Sequence, residues 1–262
     1  MNEPFAYFER ETHDRFRPTE HVGGAWKTDE QHIAPAMGLL AHMFETDHRE
    51  RRGDDGLALS RVCFDIFGVL PIEPVDVSVE MVRPGRSIEL VEARLDHDGR
   101  TALTARAWFA STADTSALAG SNLTAIPGAD DLPAWEIADR WPGGFIDSLE
   151  ARHRQIEPGH AITWIRTDAQ LVAGEPVSPT AELFALIDVA NGLAPRVSPD
   201  EAIFPNVDLT AHLFREHHGE WTGFDTTVHF GPAGVGLTHT VLHDDRGPFG
   251  TVAQSLTVRP RS

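Results

Sequence analysis

The sequence predicts an α+β protein in which two successive units each consist of an antiparallel sheet curled around one helix. Each half of the 262-residue chain holds one helical segment followed by a run of strand-like segments, and this order repeats. Turn signals such as His97-Asp98-Gly99-Arg100 separate neighbouring strands closely enough for hairpins. The repeated order predicts a duplication with an internal twofold axis, and the two sheets are expected to join edge to edge as one.

The helix of the first half is predicted to begin at Pro35, which fits a first helical turn, and to end near Glu45. The charged run from Asp47 to Asp55 is predicted to be a solvated loop. Strands are expected next, because apolar and polar residues alternate with a period of two. They cover residues 57–67, 75–82, 87–96 and 101–110.

The helix of the second half, residues 179–191, carries the residue on which the functional hypothesis depends. Ser178 is a suitable N-cap, Pro179 fits the first helical position, and Gly192 is expected to provide a left-handed stop. The segment is apolar on nearly every face, which predicts burial. Asp188 is the exception, since an unpaired carboxylate buried at the negative end of the helix dipole is unfavourable. Asp188 is therefore the leading site candidate, although a surface position or an Arg partner would also explain it.

The remaining segments complete the second unit and separate it from the first. Strands are expected at residues 161–169, 206–214, 222–230, 236–243 and 250–259. Residues 111–160 contain several Pro and Gly and are predicted to form a linker with at most a short helix. The chain thus divides into a first unit over residues 1–115, a linker over 116–160 and a second unit over 161–262, which carries the site.

The composition restricts the partners of the protein. With 40 acidic and 22 basic residues the formal charge is −18, which disfavours nucleic acid or an anionic membrane as the main partner. No apolar run reaches the ~20 residues of a membrane span, and the N-terminus lacks the apolar core of a signal peptide. Cys63 is the single cysteine, so no internal disulfide is expected. A cytoplasmic protein is predicted, and a homo-oligomer is left open.

A second polar residue interrupts an apolar strand face. In the run GTVAQSLTV, Gln254 shares one face with Val252 and Leu256. An amide on a buried face needs hydrogen-bond partners, which either a neighbouring backbone or a reaction site can supply. The presence of Asp188 favours the reaction site.

Several short motifs resemble, in their order and spacing, the acyl-CoA thioesterase II (TesB-like) family of double-hotdog proteins. They are Trp164-Ile165-Arg166, Asp188, NVDLTAHLFRE, Glu220-Trp221 and GTVAQSLTVRP in the second half, and the weaker FRPTEHVGGAW in the first. The resemblance spans nearly the whole chain. It implies a double hotdog fold, hydrolysis of acyl-CoA in fatty acid metabolism, and no cofactor.

The resemblance also implies the site residues. The family holds a water with an Asp, a Thr or similar small polar residue, and a Gln, which carry over to Asp188, Asn206 and Gln254. Asn206 departs from the Thr of the family pattern, although an amide can still orient water. Thr210, predicted to lie on the same strand face, is the fallback. Asp188 would act as general base on the water, and backbone N–H groups at a helix N-terminus could stabilise the oxyanion.

Some alternatives stay open at this stage. Because Asn206 departs from the pattern, a non-catalytic acyl-CoA-binding hotdog protein is the alternative function, and an anhydride route through Asp188 competes with direct attack by water. A hotdog hydratase is disfavoured, since no His follows Asp188 closely. Arg215, Arg83 and Arg86 are candidates for binding the CoA phosphates. No metal site is expected, because the 14 His residues show no zinc-site spacing.

A single active site per chain is expected despite the duplication. When the two helices are aligned at their prolines, Asp188 falls on Phe44, and Gln254 falls near Ala105–Ala107 of the corresponding hairpin. The first half offers neither a base nor an amide at these positions. A twofold-related second site is therefore expected to be apolar.

Overall fold

The computed structural model describes residues 5–24 and 26–261, and its main feature is one continuous sheet of 13 strands. The strands of the chain are β1 (Ala6–Arg10), β2 (Arg15–Pro18), β3 (Leu57–Ile66), β4 (Val75–Arg83), β5 (Ile88–His97), β6 (Arg100–Ser111), β7 (Leu149–Glu157), β8 (His160–Thr167), β9 (Gln170–Val172), β10 (Ala202–Ile203), β11 (Asp208–Leu213), β12 (Thr222–Phe230), β13 (Val235–Asp244), β14 (Gly247–Thr257) and β15 (Arg259–Pro260). The α-helices are α1 (Ile33–Arg52), α2 (Gly144–Asp147), α3 (Pro179–Phe184) and α4 (Ala190–Leu193). Short 3₁₀ turns cover Glu20–Val22, Ser116–Leu118, Ala129–Asp131, Ile137–Asp139 and Ile187–Val189.

The sheet joins two units that have the same strand order. From the junction outward, the first unit runs β3-β6-β5-β4-β2 and the second runs β11-β14-β13-β12-β8. The units meet where β11 pairs antiparallel with β3, with Thr210 opposite Cys63. Because equivalent strands face each other across this junction, the predicted duplication and the predicted edge-to-edge sheet are confirmed.

Helix α1 begins earlier and ends later than predicted. Its N-cap is His32, whose Nδ1 accepts a hydrogen bond from the Ala34 N–H at 3.1 Å. The helix continues through most of the predicted loop, because Arg51 and Arg52 form ion pairs with Glu89 of β5 at 2.6 and 2.8 Å. These long-range contacts hold the charged last turn of α1 against the sheet.

The second predicted helix is interrupted. Ser178 caps α3 as predicted, but the α-helix ends at Phe184, and Asp188 lies in a separate 3₁₀ turn before α4. The predicted opposition between Asp188 and the dipole of one long helix is therefore absent. Gly192 lies inside α4 without a positive φ, so the predicted left-handed stop is wrong. The site is instead crowded, since a Cβ there would lie 3.2 Å from Trp141 Nε1 and would press against the indole.

Helices α1 and α3 contact each other directly. A Cβ added to Gly38 would lie 2.5 Å from the Cβ of Ala185, so only a residue without a side chain fits at this crossing. The same packing brings the 3₁₀ turn that carries Asp188 against α1. The two units thus share one core, in which the first half of the chain contributes to the surroundings of Asp188.

The segment predicted as a linker, residues 116–160, contains strand β7, which the sequence pattern did not reveal. Beyond Ala151 the strand is mostly polar and solvent-facing, so it shows no apolar alternation. Its partner is β8, with Leu149 opposite Thr167. Since β7 belongs to the second unit by its pairing, we propose residues 116–148 as the connecting segment.

The other predicted strands are present with small shifts at their ends. The predicted hairpin between β5 and β6 has the positive φ values of a tight turn, 49° at Asp98 and 71° at Gly99. Within residues 5–24 and 26–261, no helix combines the length and the apolar character that a bilayer crossing requires.

Candidate active site

Asp188, Asn206 and Gln254 meet at one carboxyl oxygen. Asn206 Nδ2 donates to Asp188 Oδ1 at 2.7 Å, and Gln254 Nε2 donates to the same oxygen at 3.0 Å. The side chains come from three separate elements, namely a 3₁₀ turn, the segment before β11, and β14. Asp188 is 3% exposed and Gln254 is 1% exposed. The fold therefore encloses a carboxylate that two amides hold from one side.

The electrostatics of Asp188 follow from this enclosure. Burial raises the pKa of Asp188 from 3.8 to about 7, and the hydrogen bonds from Asn206 and Gln254 act against the rise. Both amide bonds go to Oδ1, and among the described residues no group donates a hydrogen bond to Oδ2. A carboxylate whose pKa lies near neutral pH, with one oxygen still free to accept, has the properties of a general base.

A local bulge places Asn206 on the buried face of the sheet. Thr210 in β11 pairs with Ala253, so it lies on the face opposite to Gln254. Asn206 instead forms an isolated bridge with Leu256, which shares its face with Gln254. The register shifts by one residue between these two pairs, and the predicted common face of Asn206 and Thr210 is wrong. Thr210, the fallback residue, points away from the site.

Asn191 supports the site and was not selected from the sequence. Its Nδ2 donates to Asn206 Oδ1 at 3.4 Å and to the Phe204 carbonyl at 3.5 Å. The bond to Asn206 Oδ1 orients the Asn206 amide with its nitrogen toward Asp188. A sequence signal existed, because Asn191 follows Asp188 by three residues in a segment that is otherwise apolar.

Two buried polar atoms on neighbouring residues of β13 and β14 have no partner among the described residues. They are Gln254 Oε1 and Thr238 Oγ1, and the two residues are directly paired across β13 and β14. Since the Gln254 nitrogen is used by Asp188, its oxygen can only accept. Atoms of this kind require a small polar partner such as water. Thr238 thus adds a second polar residue that the sequence analysis missed.

Asp188 lines a cleft of about 760 Å³ to which both units contribute. The N-terminus of α1 enters from the first unit with His32 and Ile33. The connecting segment contributes Trp141, whose Nε1 donates to the Gly192 carbonyl at 3.0 Å. The size and the mixed apolar and polar lining suit a small-molecule substrate.

The three arginines selected as phosphate ligands do not line this cleft. Arg215 Nη2 donates to the buried carboxylate of Asp244 at 2.6 Å, which is a structural ion pair. Arg83 lies over the Trp108 ring at 5.9 Å, and Arg86 is exposed. The sequence could not reveal the Asp244 pair, because the two residues lie on different strands.

Other basic residues occupy the cleft instead. Arg259 and Arg261 line it, next to the end of β14. Lys27 also lines it but pairs with Glu30 at 2.6 Å. Across the part of the chain that the structure describes, no group of three or more His, Cys, Asp or Glu is arranged to hold a metal ion.

A second cleft, of about 590 Å³, lies at the twofold-related end of the junction. It is formed by the corresponding parts of the fold, namely the second half of α1, the start of β3 and the end of β11. Glu45, next to Phe44, lines it, accepts a hydrogen bond from Ser178 Oγ, and has a pKa that burial raises. The expectation of an apolar counterpart is therefore wrong. The further carboxylates Asp54, Asp55 and Glu216 outnumber the cations Arg49 and Arg215 in its lining, so this cleft is unsuited to a polyphosphate.

The continuous double sheet around paired helices defines a double hotdog protein. Residues 22–110 match the acyl-CoA thioesterase N-terminal domain, and residues 124–258 match the acyl-CoA thioesterase C-terminal domain. The chain therefore belongs to the acyl-CoA thioesterase family, and it is a thioester hydrolase. This result confirms the resemblance to TesB-like proteins.

Solved structures support the same fold. A protein with a hot dog fold from Alicyclobacillus acidocaldarius has a TM-score of 0.74 at 16% identity, over 97% of this chain and 96% of the other. The acyl-CoA thioesterase II TesB2 from Mycobacterium marinum has a TM-score of 0.67 at 16% identity, over 97% and 95%. The tesB protein of Mycobacterium avium subs paratuberculosis has a TM-score of 0.66 at 17% identity, over 97% and 96%. No curated protein matches the chain.

Proposed function

We propose that this thioesterase hydrolyses acyl-CoA with a water that Asp188 activates. The observation that carries the proposal is that the two carboxyl oxygens of Asp188 differ in their hydrogen bonds. Oδ1 accepts the amide bonds from Asn206 and Gln254 at 2.7 and 3.0 Å, which leaves Oδ2 to accept a proton from water. The unpartnered Gln254 Oε1 is suited to accept the second hydrogen of that water.

The reaction then needs no covalent intermediate. The water oxygen attacks the thioester carbonyl carbon while its proton passes to Asp188. The tetrahedral intermediate collapses with cleavage of the C–S bond, and Asp188 returns the proton to the departing sulfur. The products are a free carboxylic acid and CoA. Burial to 3% exposure favours this route over an anhydride, for which the carboxylate itself would have to reach the carbonyl carbon.

The cleft suggests how the substrate lies. Trp26 and Trp141 meet edge to face at 5.1 Å and form an apolar wall suited to the acyl group. Arg259 and Arg261 are the cleft cations suited to the CoA phosphates.

The pH dependence of the reaction tests the role of Asp188. We expect kcat/KM to rise with pH and to level off above about pH 7, because the base acts in its ionised form and its pKa is about 7. Gln254→Leu removes a donor that stabilises the carboxylate, so the midpoint should move to higher pH. Ser255→Ala, on the exposed face of β14, is the control and should keep the wild-type midpoint. A midpoint that Gln254→Leu leaves unchanged would contradict the proposal.

The number of binding sites tests whether each chain has a single substrate site. Titration with a non-hydrolysable acyl-CoA analogue in a calorimeter should give one site per chain, because the second cleft is acidic. Arg259→Glu combined with Arg261→Glu should weaken binding about tenfold or more, since each variant replaces attraction to phosphate by repulsion. Arg83→Glu, outside the cleft, should bind like the wild type. Two equivalent sites per chain would contradict a single substrate site.

A further inference from the structure

His32 occupies an unusual position, because it is both the N-cap of α1 and a residue of the cleft that contains Asp188. Its Nδ1 accepts a hydrogen bond from the Ala34 N–H at 3.1 Å. A backbone N–H can only donate, so Nδ1 carries no proton. The uncharged ring must therefore carry its proton on Nε2.

The ring is held rigidly. The His32 N–H donates to the Val22 carbonyl at 2.7 Å, and the preceding side chain, Gln31, donates through Nε2 to the Pro71 carbonyl at 2.7 Å. The imidazole packs against the Phe145 ring with a centroid separation of 4.4 Å. A donor fixed in this way loses little free energy to reorganisation when charge develops near it.

The environment also keeps the imidazole neutral. Burial lowers the pKa of His32 from 6.5 to about 3, so the ring is uncharged at neutral pH. The ring stands at the positive end of a helix of 20 residues, which has no acidic side chain in its first turn. The hydrogen bond of this ring is made by Nδ1, and no group of the described residues is bonded to Nε2. His32, one of the residues that line the cleft, thus carries an oriented N–H donor that the proposed proton transfers do not use.

We propose that His32 Nε2–H donates a hydrogen bond to the carbonyl oxygen of the bound thioester and stabilises the negative charge that forms there. This inference rests on the proposed hydrolysis at Asp188. His32 transfers no proton. The carbonyl π electrons move onto oxygen as water attacks and return when the C–S bond breaks. Asp188 and His32 then have separate roles, since Asp188 takes the proton of the water and His32 polarises the carbonyl.

The test uses His32→Asn, because Asn is a good N-cap and keeps an acceptor for the Ala34 N–H while it removes the ring donor. We expect kcat to fall by about 10²- to 10³-fold, as for loss of an oxyanion donor elsewhere, with KM and Tm nearly unchanged. His212→Asn is the matched control, since His212 is exposed on the outer face of β11, and it should keep wild-type kcat. An unchanged kcat in folded His32→Asn, or a loss confined to KM, would overturn the inference.

A spectroscopic readout separates polarisation from any structural role. In Asp188→Asn, which is expected to bind acyl-CoA without turnover, the infrared carbonyl stretch of a bound ¹³C-labelled decanoyl-CoA should lie below its solution frequency. Addition of His32→Asn should return the band toward the solution value. The ¹⁵N spectrum of the wild-type protein should show a protonated Nε2 and an unprotonated Nδ1 for His32. A protonated Nδ1 or an unshifted carbonyl band would overturn the inference, whereas hydrolysis by Asp188→Asn would refute the proposed function instead.

Discussion

Replacement of Asp188 by Asn is expected to reduce kcat/KM for acyl-CoA by about 10²- to 10⁴-fold, the usual contribution of a general base. The new amide keeps an oxygen that can accept the bonds now made by Asn206 and Gln254, at 2.7 and 3.0 Å. It cannot take a proton from water at any accessible pH. The variant should therefore keep its fold and its affinity for substrate while it loses the chemical step.

The measurement is release of free CoA thiol from a panel of acyl-CoA substrates, together with calorimetric binding of a non-hydrolysable analogue. Asp168→Asn makes the same chemical change at an exposed carboxylate and serves as the control. Hydrolysis by the Asp188→Asn protein at more than a tenth of the wild-type rate would remove Asp188 from the mechanism. An equal loss of binding and turnover would instead indicate that Asp188 supports the shape of the cleft.

The same substitution should also change how stability depends on pH. In the unfolded chain Asp188 titrates near 3.8, and in the folded protein near pH 7. Between these values the folded state retains a proton that the unfolded state has released, so the contribution of this group to stability falls as pH rises. The contribution is fully present below about pH 4 and is lost above about pH 7. A difference of about three pKa units corresponds to about 4 kcal/mol.

Urea unfolding at pH 4 and at pH 8 measures this effect. Relative to wild type, Asp188→Asn should gain about 4 kcal/mol in unfolding free energy on going from the lower to the higher pH. Asp168→Asn should show no comparable gain, because its carboxylate is exposed. Parallel pH dependences for wild type and Asp188→Asn would show that burial does not hold a proton on this carboxylate.

Two of the three central side chains were recognisable because each conflicts with its local pattern. Asp188 interrupts an apolar helical segment, and Gln254 interrupts the apolar face of β14. Local rules of this kind depend only on neighbours in the chain, so a single sequence is sufficient to apply them. A residue that local preferences cannot explain is often retained for function.

The positions of Asn206 and Asn191 in the site could not be predicted from local sequence rules. The face of Asn206 depends on a one-residue shift in its pairing with β14, which strict alternation cannot predict. Asn191 gains its role only because Asn206 lies within reach of its amide at 3.4 Å. Such relations are set by tertiary packing.

Charged residues were the hardest to place from sequence. Arg215 was selected as a phosphate ligand, but it forms an ion pair with Asp244 at 2.6 Å, and Arg259 and Arg261 line the cleft instead. The sequence alone does not reveal whether an arginine side chain pairs with a carboxylate or faces solvent. The polar strand β7 was missed for a related reason, since only its pairing with β8 identifies it.

Trp141 makes the segment between the two repeats part of the cleft. Its indole donates to the Gly192 carbonyl at 3.0 Å and lines one side of the cleft. A flexible tether tolerates insertions and changes of length. The connecting segment is instead part of the cleft wall, so an insertion that displaces the Trp141 indole is expected to change the shape of the cleft. Neither repeat forms the cleft alone, so we expect an isolated half of the chain to be inactive.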